Sequence, residues 1–160
     1  MSNMVSQQAS EHFLQLIKRL YDKRDELLSS STRLVDCSYK LENCDDAELY
    51  GIRAEIGKEM NKIISNINEL APHLRNKQIV ESVSVQISIL SIQLERLALE
   101  SGILSSTLKT QLAIGLRNGL CQIANMTQLN PTPKTIKKAY GVVVGAHDIK
   151  LFYEHQQDNY

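Results

Sequence analysis

At 160 residues, with 18 acidic and 18 basic side chains, the chain is sized for one domain and has no net charge, so it lacks the basic footprint that binding nucleic-acid phosphates requires. No apolar run approaches the roughly 20 residues that cross a bilayer, and Met1 to Ser10 is polar, without a signal peptide's basic patch and apolar run; a cytoplasmic protein with no membrane insertion is expected. Cys37, Cys44 and Cys121 cannot all pair and have no metal-ligand spacing, which fits a reducing compartment, while the absence of tryptophan and the scarcity of glycine and proline predict an all-α fold.

In chain order, residues up to about Gln8 carry no pattern and read as frayed. From Ser10 a first helix is clear. Phe13, Leu20, Leu27, Leu34 and Leu41 fall one heptad apart, with Leu14, Tyr21, Leu28 and Val35 beside them as a ridge two residues wide. The companion positions after Ile17 are Arg24, Ser31 and Ser38, so this face suits packing inside a bundle better than a symmetric zipper. Alternating charges from Lys18 to Glu26 mark a solvated side. After a short break, Asp45-Asp46-Ala47-Glu48 has capping-box spacing and starts a second helix, whose buried stripe is Leu49, Ile52, Ile56, Met60, Ile63, Ile67 and Leu70. So short a linker predicts an antiparallel hairpin. Pro72 removes a backbone donor and stops the second helix at Ala71.

From Asn76 to Met126 the pattern predicts one long helix. Val83, Ile87, Leu90, Leu94, Leu97, Leu104 and Leu108 form one stripe, and Leu108, Leu112, Leu116, Leu120 and Ile123 continue it with a drift. A second row, Val85, Ile89, Ile92, Leu99 and Ile103, lies off that stripe, so this helix calls for neighbours on two sides. It would also outrun the hairpin, leaving the leucines of its C-terminal third without an intramolecular partner. The expected architecture is a three-helix antiparallel bundle or coiled coil over residues 1–126, with one long C-terminal helix. Residues 127–160 form a Pro-containing hinge and a partly flexible docking tail: Asn130-Pro131-Thr132-Pro133 cannot continue a helix, and Tyr140 to Gly145 reads as a turn or extended segment.

Catalytic chemistry finds no support. His12, His73, His147 and His155 fall on different elements without metal-ligand spacing, no glycine-rich loop follows a strand, and no serine or cysteine sits in a nucleophile motif. No enzyme activity, metal or cofactor is expected. Gly115 and Gly119 form a small-xxx-small pair suited to close helix contact. Asn125-Met126-Thr127 is a glycosylation sequon, meaningful only on a secretory route.

Two helices with Leu49, Ile52, Lys58, Met60 and Ile64 in the second, then a long helix carrying Glu100-Ser101-Gly102-Ile103-Leu104 and a leucine-rich end, then Tyr140-Gly141 in a tail: this layout resembles the FlgN-type flagellar export chaperones over nearly the whole chain. The resemblance implies a cytosolic chaperone, monomeric or weakly dimeric. It would bind helical terminal regions of flagellar hook-filament junction proteins, prevent premature assembly and deliver them to the type III export gate. It also implies that Leu108, Leu112, Leu116, Leu120 and Ile123 hold the client and that Tyr140 contacts the gate. A leucine stripe at helical spacing serves equally as core. A self-associating helical bundle with a structural or regulatory role, or a protein that sequesters a transcription regulator, would use the same surface.

Overall fold

The heptad ridge of the first helix is its buried edge: Phe13, Leu20, Leu27, Leu34 and Leu41 of α1 (Ser2–Asn43) all lie in the core. The computed structural model describes residues 2–120 and 122–129, with side chains from Glu11 on except those of Leu120 and Ala124; beyond Leu129 it describes Lys134, Lys137, Gly145, His147, Ile149, Lys150 and Glu154. Helix begins at Ser2, where a frayed start was expected. Arg24 and Ser38 are buried, as expected of a seam inside a bundle, and Ser38 Oγ donates to Val35 O at 2.6 Å.

The Asp45 carboxylate accepts from Glu48 N at 2.9 Å and opens α2 (Asp46–Leu70), which runs antiparallel to α1. Three ion pairs track that direction: Arg19 with Glu69, Arg33 with Glu59 and Lys40 with Glu55. Ile52, Ile56, Met60, Ile63, Ile67 and Leu70 are buried as the stripe predicted, with Leu49 packed at its margin. Glu59 and Asn66 are buried as well. Burial by itself would raise the Glu59 carboxyl, but the Ser30 hydroxyl, Arg33 and Lys62 outweigh it and hold its pKa below the ordinary value. At Pro72 the chain passes through a 3₁₀ turn, Ala71–His73, and Asn76 Oδ1 then accepts from Ile79 N to cap α3 (Lys77–Leu99).

The long helix expected over Asn76 to Met126 is instead a hairpin. α3 ends at Leu99, and α4 (Gly102–Leu120) folds back along it, followed by the single turn α5 (Ile123–Met126). Gly102 makes the reversal with φ 67°, a conformation that costs a residue with a Cβ about 1–2 kcal/mol. The energetics favour the break. Reversal interrupts a few helical hydrogen bonds, each worth about 1 kcal/mol net, and buries Leu108, Leu112 and Leu116, each worth about 1.5–3 kcal/mol.

α1 touches α2 and α4, and α3 touches the same two, so the four helices form a ring with α1 and α3 on the diagonal. Close approach of α4 to α3 rests on Gly115 and Gly119: a Cβ at Gly115 would stand 2.7 Å from Leu90 Cδ2, and one at Gly119 would stand 3.1 Å from Gln86 Oε1. Arg117 of α4 hydrogen-bonds Glu42 near the C-terminal end of α1 and lies over the Tyr39 ring. Beyond α5 the chain is tied down, since Leu129 bridges Leu74 and Arg75 N donates to Gln128 O at 2.9 Å. Ile149 packs against the core. Asn130 to Pro133 and Tyr140 lie outside the described residues, so the expected hinge falls outside them and the expected docking tail is described at only a few positions.

Candidate functional site

The two apolar stripes of the expected long helix meet opposite fates. Val83, Ile87, Leu90 and Leu97 face the core. The second row does not: Val85 is 59% exposed, Ile89 49%, Ile92 58%, Leu99 84% and Ile103 89%. These side chains run along the outer face of α3 and over the tip of the α3–α4 hairpin. They are the largest aliphatic row left in water among the described residues, on a helix that carries few charges.

A groove flanks this row between α2 and α3. Its volume is about 440 Å³; Ile67 and Ile87 form its floor, Ile64 and Ile92 its lips, and Ser84, Ser88, Ser91 and Asn68 the rest of its lining. No charged side chain lines it. The serine hydroxyls are partly spent on their own helix, with Ser84 Oγ donating to Val80 O at 2.8 Å and Ser88 Oγ to Ser84 O at 3.0 Å. The groove therefore offers aliphatic carbon with little unmet hydrogen-bonding demand, which suits the apolar face of a helix. A smaller hollow of about 160 Å³ lies on the other side of the row, between Ile89 and Gly115.

The residues that sequence reasoning marked for client binding are placed otherwise. Leu108, Leu112, Leu116 and Ile123 are buried in the core, because α4, with α5 after it, folds back on α1 and α3 where an overhang was expected. The Leu120 side chain and Tyr140 lie outside the described residues. The signal for the uncovered face was present in the sequence as the second apolar row; what periodicity could not supply was which row would be covered.

Reactive groups elsewhere are sparse. His73 is buried, and burial together with the Lys77 ammonium lowers its pKa. Cys37 is buried, and its thiol is pushed up to about 11, first by burial and then by the Glu55 carboxylate. Among the described residues no group of three or more His, Cys, Asp or Glu side chains could hold a metal ion, and no helix is long and apolar enough to cross a membrane. The chain matches no protein-family model, no curated protein and no solved structure.

Proposed function

We propose that the chain is a helix-binding export chaperone of the FlgN type, whose client is a helical terminal region of a hook-filament junction protein. The observation that carries this reading is the uncharged groove between α2 and α3 with its aliphatic lips at Ile64 and Ile92. An amphipathic client helix laid there would bury its apolar anchors on Ile64, Ile67, Ile87 and Ile92 and keep its polar side in water, the helix-in-groove mode. This moves the client site from the α4 leucines to the α2–α3 seam. Tyr140 keeps the gate contact that the resemblance implies, and the covered client cannot assemble while it is held.

The test mixes the purified chain with the C-terminal helical region of a junction protein from the same genome and measures binding by calorimetry. A one-to-one complex is expected, with Ile64→Asp weakening it at least about tenfold through one unpaired charge on the groove lip. Absence of a complex, or full binding by Ile64→Asp, would overturn the proposal.

A further inference from the structure

The outer face of α3 has a charge pattern that the groove does not use. Taken at 100° per residue, Glu81, Val85, Ile89, Ile92 and Arg96 share one stripe, with Ser88 at its edge. All of these side chains are exposed. The stripe opens with an acid and closes with a base, and its aliphatic residues lie between. Among the described residues neither Glu81 nor Arg96 forms an ion pair within the chain, although bases and acids on α1 and α2 pair repeatedly.

Such a stripe is complementary to itself when reversed. Two copies of α3 laid antiparallel about a two-fold axis between Ser88 and Ile89 bring Glu81 of each opposite Arg96 of the other. Val85 of each then meets Ile92 of the other, and the two Ile89 side chains meet near the axis. The spacing of Glu81, Val85, Ser88, Ile92 and Arg96 is four, three, four and four, which follows the four-three alternation of a coiled-coil seam up to Ile92. A parallel pairing would instead stack Glu81 on Glu81 and Arg96 on Arg96, so charge selects the antiparallel register.

We infer that the outer face of α3 is a homodimer interface, with a second copy of this chain as its occupant, paired antiparallel through Val85, Ile89 and Ile92 and closed at both ends by Glu81–Arg96 ion pairs. A single helix of α3's length, about 35 Å, gives an interface at the low end of stable sizes, so the dimer exchanges with monomer at micromolar concentration. The dimer shares Ile92 with the client groove, and a bound client helix therefore competes with the second copy.

Sedimentation equilibrium of the full chain over a range of concentrations tests the pairing without any client. Wild-type protein is expected to shift from monomer to dimer. Glu81→Arg and Arg96→Glu, each of which turns both ion pairs into repulsions, should each raise the dimer dissociation constant about tenfold. The double variant carrying both changes should restore it, because each swapped acid again meets a swapped base. All four positions of charge lie in water, so circular dichroism should report unchanged folding. A wild-type chain that stays monomeric throughout the range, or a double variant weakened as the product of the two single ones, would overturn the inference. Both outcomes are independent of Ile64, so failure of the dimer and failure of the client groove are read separately.

Discussion

Replacing Leu116 tests the α3–α4 reversal and the assignment of the α4 leucines to the core in one experiment. Leu116 has no accessible surface. Truncation to alanine loses the transfer free energy of the removed carbons and leaves a cavity, about 3 kcal/mol at a well-packed site. For a chain of this length that lowers the melting temperature by about 6–12 °C. Leu116→Asp goes further, because an unpaired carboxylate in this core costs more than the truncation does and consumes much of a typical stability of about 5–15 kcal/mol. Ile103→Asp, at a side chain 89% exposed at the hairpin tip, is the matched control and should stay within about 0.5 kcal/mol of the parent. Urea denaturation followed by far-UV circular dichroism measures all three. If Leu116→Asp melts like the parent, α4 does not pack on α1 and α3 in solution, and the hairpin is wrong.

Four further outcomes follow from single positions. Gly102→Ala should cost about 1–2 kcal/mol in urea melts through its φ of 67°, whereas Gly51→Ala, with open space where the methyl would go, should gain about 0.5–1 kcal/mol. Because burial lowers the pKa of His73 in the folded chain, the unfolded chain binds the extra proton first as pH falls through about 6.5, so stability should drop on acidification by up to about 1.4 kcal/mol per pH unit. His73→Phe should flatten that slope in melts at several pH values; an unchanged slope would exclude His73 as its source. The Cys37 thiol, pushed up to about 11 from an ordinary 9.0, should have about a hundredfold less thiolate than a free thiol at mildly alkaline pH. In a variant lacking Cys44 and Cys121, it should react with a disulfide reagent faster in urea than in buffer.

The α1–α2 hairpin was legible because each of its signals is local or periodic. The heptad ridge from Phe13 to Leu41, the Asp45 cap and the stop at Pro72 each act within a few residues, and tertiary packing agrees with them. The reversal at Gly102 was not legible. Apolar residues keep helical spacing on both sides of it, and one glycine costs a continuous helix only about 1 kcal/mol, less than a single buried leucine contributes. Its cause lies in contacts between α4 and α1, far apart in sequence. The same contacts moved the candidate site, since covering the Leu108 to Leu116 stripe left Val85, Ile89 and Ile92 outside. Burial of Glu59, Asn66 and His73 was hidden for another reason: polar side chains give no apolar signal, and only their neighbours make them tolerable inside.

The bridge between Leu74 and Leu129 also decides how the molecule yields to force. Tension applied to the C-terminal end must first free Ile149 from the core, and it then arrives at the hydrogen bond from Arg75 N to Gln128 O, which pins that segment to the turn between α2 and α3. Once this clasp opens, the load passes to α5 and then peels α4 away from α1 and α3, one turn at a time. The α1–α2 hairpin, whose own ends lie outside the loaded path, is the last part to feel the pull. A molecular motor drawing on the C-terminal end would thus strip the core from the α4 side while a helical stub remained standing.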